Sequence, residues 1–359
     1  MGATEYGHWL AGISLALAVF WKNKKNSDWL ITGVFLGSAF LFLQPAFQAW
    51  HLAKIVTQEV ERVFPGDLPD EKALDLKKLW LGTKVPNVVP EKLAYAVHGD
   101  TALSLFFQRS TTDTPAPCVI LLHTGGWSTG SPQEFLTMNT WLTLHGFAVA
   151  ALEYRLAPRW TWPAQRTDVL DAIRYLQTHH ARLGIDPERF VVLGRSAGGQ
   201  IAQAVAYGSG NPAIRGCISF YAPADLHFAY RYADPRDILN SLQLVTQYTG
   251  GTPQNARANY DSGSGILLVQ PNSPPTLLLH GTRDELVWVR QSRRLAAVLQ
   301  RKQARYLYLE FPWATHAFDF NFNGPGGQIS RYAVLNFLKN VTAVSNRQTA
   351  DSTQRVPAR

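Results

Sequence analysis

From residue 93 onward, short runs of β-branched and aromatic residues alternate with longer stretches of helical period, which leaves the chain few folds to choose from. The extended runs are LAYAVHG, ALSLFFQR, CVILLH, GFAVAALEY, RFVVLG, GCISFYA, TLLLHG and RYLYLEF; the helical ones cover 132–144, 165–183, 197–208, 288–302 and 327–341. The later extended runs are apolar throughout, as strands covered by helices on both faces must be. The expected fold is therefore α/β, a mostly parallel, doubly wound sheet of eight strands. No internal repeat breaks this pattern.

One junction in the pattern carries chemistry. RFVVLG reads as a strand and AGGQIAQAVAYG as a helix, joined by the tight turn Gly194-Arg195-Ser196-Ala197-Gly198. A G-x-S-x-G turn between a strand and a helix holds its serine above the strand ends, with glycines relieving the crowding on either side. Such a serine needs a base, an orienting acid and an anion hole, and in this topology the order along the chain is serine, acid, histidine. TLLLHGTRDELV ends a strand with Asp284 in the following loop, and RYLYLEFPWATHAF ends the next with His316 in its loop. Asp284 is the expected acid, with Glu285 and then Asp319 as competitors, and His316 the expected base. After the third strand comes His123-Thr124-Gly125-Gly126-Trp127, where the backbone N–H groups of Gly125 and Gly126, together with that of Ala197, are the candidate oxyanion donors. Glycine lets the backbone approach a developing anion closely.

These residues resemble the hormone-sensitive-lipase-like branch of the α/β-hydrolases, which includes bacterial carboxylesterases and the arylacetamide deacetylases. The resemblance runs through HTGGW, EYRLAP, WPA, Asp168, GIDPERFVVLGRSAGG, HGTRDELV and THAF, over roughly residues 90–342. It implies an α/β-hydrolase fold and a carboxylic ester hydrolase. Ser196, Asp284 and His316 are then the triad, Gly125, Gly126 and Ala197 the oxyanion donors, and His123, Gly194 and Gly198 motif residues that shape the turns. Two positions depart from the pattern: Thr124 replaces the first glycine of H-G-G-G, and Arg195 stands where an acidic residue is common. The HG-x-x-D-x-x-V spacing with the QSRRL helix is also similar to smaller esterase and feruloyl-esterase relatives. An amidase or peptidase using the same triad is the alternative; a non-catalytic binding homologue is disfavoured by the complete triad.

Residues 1–50 are of a different kind. Two apolar stretches, WLAGISLALAVFW (9–21) and WLITGVFLGSAFLFL (29–43), flank Lys22, Lys24 and Lys25, and tryptophans stand at their ends as interfacial anchors would. They read as a helical hairpin that anchors the chain in a bilayer; a hairpin buried on the catalytic domain and a cleaved signal peptide are the other readings, the last opposed by MGATEYGH, which lacks Lys and Arg. If the hairpin spans, a cytoplasmic lysine loop places the catalytic domain outside the cytoplasm, in the periplasm if the source is a bacterium with two membranes; a soluble cytoplasmic protein is the alternative. Residues 51–90 read as an amphipathic linker or cap, with an ordinary surface helix as the other reading of the helix-like spacing of Leu52, Ile55, Val56, Val60 and Val63; 91–342 read as the catalytic domain and 343–359 as a polar tail. Within the domain, the insertion 223–275, with His227, Phe228, Tyr230, Tyr232, Tyr248 and Tyr260, is the expected lid over a pocket for a small-molecule ester with an apolar acyl or aryl group. The net charge of +8 accompanies no basic run interleaved with aromatics, so no nucleic-acid partner is expected. Cys118 and Cys217 read as small core residues, and no metal or cofactor is implied.

Overall fold

The computed structural model describes residues 2–23, 29–66 and 71–343. Lys24, Lys25 and all but the first residue of the polar tail lie outside them. The strands are β1 (Glu91–His98), β2 (Thr101–Gln108), β3 (Ala116–Leu122), β4 (Ala148–Leu152), β5 (Ile185–Arg195), β6 (Ile214–Phe220), β7 (Thr276–Gly281) and β8 (Tyr306–Phe311). They form one sheet in the order β1-β2-β4-β3-β5-β6-β7-β8, in which β1 and β2 run antiparallel and β3 to β8 pair in parallel.

Alternate residues along each central strand enter different cores, because successive side chains point to opposite faces. Cys118, Ile120 and Leu122 meet α6 (Ala164–Thr178), α8 (Ala197–Gly208) and α13 (Arg290–Arg301) on one face. Val119 and Leu121 meet α5 (Leu136–Leu144), α14 (Pro325–Val341) and α3 (Trp29–Val63) on the other. Both cysteines are buried and free. The short α7 (His180–Leu183) lies between α6 and β5, and the insertion between β6 and β7 folds as α9 (Leu226–Tyr232), α10 (Ser241–Thr249), α11 (Arg257–Gly263) and α12 (Gly265–Leu268).

The chain begins with α1 (Gly2–Glu5) and α2 (Gly7–Lys22), and α3 then runs unbroken for 35 residues past the boundary expected at residue 50. Its two halves have different surroundings. The first half pairs with α2 through small residues, so closely that a Cβ on Gly7 would lie 2.4 Å from Phe42 O. Ile13, Val19, Phe20, Trp29, Leu30, Phe40 and Leu41 on the outside of this pair are each more than half exposed. In the second half, Val56 and Val60, four apart and both fully buried, pack in the core with α14, and Phe64 stacks edge-on against Phe337 at 5.0 Å. The stretch read as a linker therefore supplies a helix of the sheet's covering layer. The short α4 (Leu76–Leu81), capped by Asp75, follows before β1.

Candidate active site

β5 delivers Ser196 to the carboxyl edge in the middle of the sheet. The serine sits at φ 52° and ψ −119°, in the positive-φ region that side-chain-bearing residues seldom adopt. Its two glycines are sterically required: a Cβ on Gly194 would lie 2.0 Å from Gly198 O, and one on Gly198 would lie 2.3 Å from Leu122 O. α8 begins at Ala197, so the first N–H groups of a helix, which have no acceptor within it, lie beside the serine.

The loops after β7 and β8 bring Asp284 and His316 to the same edge. His316 Nε2 is 3.0 Å from Ser196 Oγ, and His316 Nδ1 is 2.7 Å from Asp284 Oδ2. Burial acts to raise the pKa of Asp284, but hydrogen bonds from His280 and His316, with their charges, outweigh it and hold the carboxyl at about 2. An ionised carboxylate only accepts, so Nδ1 of His316 carries the proton and the Nε2 lone pair faces the serine hydroxyl. Asp284 is held in turn by the N–H groups of Leu286 and Val287, at 3.0 and 2.9 Å on Oδ1. Glu285, the competing acid, is exposed at the pocket edge.

Sequence reasoning did not single out His280. This buried residue of β7 places Nε2 3.2 Å from Asp284 Oδ2 and 2.8 Å from Val287 O, with Nδ1 2.7 Å from Ser292 Oγ. The four-residue spacing in HGTRD was the available signal.

The turn after β3 needs its glycines too. Gly125 has φ 109°, and a Cβ there would lie 2.1 Å from Thr129 O; Gly126 has φ 57°. Gly126 and Trp127 line the pocket beside Ser196, Ala197 and His316, and Gly125 precedes them in the same turn. The His123 ring stacks on Tyr154 at 4.1 Å, and the Tyr154 hydroxyl donates to His123 O at 3.0 Å. Thr124 uses its extra hydroxyl to donate to Glu134 Oε2 at 2.7 Å, while Glu134 Oε1 accepts from Ser131 N at 2.9 Å. The departure from glycine is absorbed by one glutamate that closes the loop.

Arg195 points away from the pocket. Its Nε donates to Asp319 Oδ2 at 2.6 Å, both side chains are buried, and Phe135 lies against the guanidinium at 3.9 Å. Asp319 Oδ1 also accepts the Tyr221 hydroxyl at 2.6 Å, and the Tyr221 ring meets the His316 ring edge-on at 4.6 Å. The residue before Ser196 is thus ion-paired to the loop that carries His316.

The pocket at Ser196 has about 140 Å³ of internal space, close to the roughly 150 Å³ of an engineered apolar cavity that holds benzene. Phe228, Tyr232, Leu239, Leu244 and Val245 of the insertion form one wall, and Leu286 and Trp288 another. Tyr248 and Tyr260 are instead buried in the core on the α8 side of the sheet, where Tyr248 stacks on Trp127 at 4.4 Å, and the half-exposed His227 pairs with Asp261 at 2.7 Å. Gln200 ties the insertion to α8: its Oε1 accepts from Trp127 Nε1 at 2.9 Å and from the Tyr248 hydroxyl at 2.8 Å, and its Nε2 donates to Gly263 O at 2.7 Å. Elsewhere, His98, Asp168 and Asp171 converge within 4.8 Å, but the buried Asp168 already accepts from Arg155 N and Nε, both at 2.8 Å.

The BD-FAE family model matches residues 103–299, more than half of the chain. The chain belongs to the BD-FAE family. This places it in the esterase branch of the α/β-hydrolases, and the matched span of this BD-FAE member includes Ser196 and Asp284 but ends before His316. It is 26% identical to a probable carboxylic ester hydrolase, LipM, of Mycobacterium tuberculosis over 64% of this chain and 56% of that one. It is 34% identical to human arylacetamide deacetylase-like 2 over 60% of this chain and 49% of that one. The chain spans about half the length of these curated relatives. Among solved structures, esterase 2 of Thermogutta terrifontis, phosphonylated by sarin, superposes with a TM-score of 0.60 at 21% identity, over 73% of this chain and 98% of that one.

Proposed function

We propose that this BD-FAE member is a serine hydrolase of carboxylic esters. The observation that carries the reading is the hydrogen-bonded chain from Asp284 through His316 to Ser196, at 2.7 and 3.0 Å, opening onto an apolar pocket. Ser196 Oγ attacks the ester carbonyl carbon while His316 Nε2 takes its proton. The N–H groups of Gly125, Gly126 and Ala197 are the proposed donors to the resulting oxyanion, each worth roughly 3 kcal/mol of barrier. His316 then protonates the departing alkoxide, and water, activated by the same nitrogen, releases the acid and restores the serine. The esterase relatives and the organophosphate adduct of the structural neighbour support this chemistry.

The insertion is read as a lid, and the pocket behind it as the site for a small apolar acyl or aryl group. The α2–α3 pair is read as a membrane hairpin that leaves the catalytic domain outside the cytoplasm. Among the described residues only α3 is long and apolar enough to cross a bilayer, and little of its apolar half is buried. The 16 residues of α2 rise about 24 Å, short of a hydrocarbon core of about 30 Å.

The decisive experiment labels the full chain with a fluorophosphonate and follows a series of p-nitrophenyl esters of rising acyl length. The expected result is a covalent adduct on Ser196, turnover favouring short or aryl acids, and loss of about a millionfold in kcat for Ser196→Ala. An unlabelled parent, or an alanine variant as active as the parent, would overturn the reading.

A further inference from the structure

Glu5, a residue that neither the motifs nor the proposed chemistry uses, is held inside the catalytic domain. Although it belongs to α1, ahead of the apolar hairpin, its side chain is fully buried. One carboxyl oxygen, Oε1, accepts from Trp313 Nε1 at 3.1 Å; the other, Oε2, accepts from Gly326 N at 3.1 Å; and its backbone carbonyl accepts from Asn321 Nδ2 at 3.1 Å. These partners flank His316 on both sides. Trp313 stands three residues before it, on the stem leaving β8, while Asn321 and Gly326 stand after it, where the chain enters α14.

The receiving site has room for this carboxyl and for little else. A Cβ on Gly324 would lie 2.6 Å from Glu5 Oε2, and one on Gly326 would lie 3.1 Å from Glu5 Oε1. The two glycines therefore leave a cradle that a side chain from the far end of the sequence fills. Without it, a buried indole N–H and an N–H at the start of a 17-residue helix would lose their acceptor, and such groups are seldom left unpaired.

We propose that Glu5 is a positioning residue for His316: by bridging the two stems of the histidine loop, the segment ahead of the hairpin holds the imidazole in line with Ser196. On this view the N-terminus completes the active site and is more than a tether. The proposal rests on the serine-hydrolase reading. It assigns Glu5 an effect on the proton-transfer steps, which depend on the His316–Ser196 geometry, and none on the acyl pocket, which Glu5 does not line.

The test uses the full chain in detergent, with active sites counted by fluorophosphonate labelling. Glu5→Ala should lower kcat per labelled site at least tenfold with KM for p-nitrophenyl acetate within about twofold of the parent. Trp313→Phe, which keeps a ring in the core and removes one donor to Glu5, should give a smaller loss of the same kind, and Glu5→Gln, which keeps one acceptor, should recover part of the alanine loss. If Glu5→Ala and Trp313→Phe lower the unfolding temperature but turn over at the parental rate per labelled site, Glu5 is only a structural plug and the proposal fails. A parent that neither labels nor turns over would instead overturn the hydrolase reading on which it rests.

Discussion

Arg195, in the middle of the chain, and Glu5, near its start, are ionisable residues that both reach the segment around His316. Breaking a buried ion pair by removing one partner typically costs about 3–5 kcal/mol, because the other charge is left without compensation. Arg195→Ala should therefore destabilise the protein by about that amount in urea unfolding, with a loss of kcat/KM that is the same for neutral and acidic esters. A loss confined to acidic esters would instead give Arg195 a role in substrate recognition. Glu5 makes a prediction about pH. Burial raises its pKa from 4.5 to about 8, against the opposing hydrogen bonds from Gly326 and Trp313, with the charge of Asp319 adding to the rise. Its folded-state pKa is thus above its unfolded value, so its contribution is fully present below about pH 4.5 and is lost as pH rises through 8, at about 1.4 kcal/mol per pH unit between the two. Other titrating groups are common to parent and variant, so the unfolding temperature of Glu5→Gln, measured relative to the parent, should climb between pH 5 and 8 and level off above. A difference that stays flat across that range would mean that Glu5 titrates normally. Ser196, Asp284 and His316 were legible in the sequence because each follows an apolar strand and so must reach the same sheet edge. Asp319 was legible only as a lesser competitor for the acid role, since its partner lies 124 residues away. Glu5 could not be read at all: one glutamate before an apolar helix carries no sign of a cradle more than three hundred residues on.

At the scale of elements, the eight strands fell where the β-branched and aromatic runs placed them, most sharply in the centre of the sheet, where strands buried on both faces leave little freedom in composition. The helix α3 was read differently. Its residues change at about position 51 from apolar on every side to apolar on one face only, which looks like a boundary between two segments. The change is one of surroundings and leaves the backbone untouched: the first half is covered by α2 on one side only, and the second half packs on α14. Pro45 stands within the helix without ending it. The insertion shows the converse problem, since its aromatics are alike in sequence but divide between the pocket wall and the main core, where Tyr248 stacks on Trp127. Period alone cannot make that division, because both environments exclude water.

At the scale of the molecule, the hairpin and the catalytic domain make separate claims on solvent. The full-length chain should sediment with membranes after an alkaline carbonate wash, and deletion of residues 1–50 should release it. With Glu5 gone, the released protein should also turn over more slowly per active site than the parent in detergent. Full-length chain that stays soluble without detergent would remove the anchor and leave the chemistry standing. Whichever way that measurement falls, the segment α1–α3 is fixed to the domain at both its ends, by Glu5 beneath the histidine loop with His8 Nε2 2.8 Å from Leu79 O, and by Val56 to Phe64 along α14. A leash attached once lets a domain tumble and sample the water above a membrane; a rigid strut attached twice sets its tilt and its height. Seated in a bilayer, such an enzyme would hold its pocket mouth at one fixed level, and the esters it met would be those that drift past at that level.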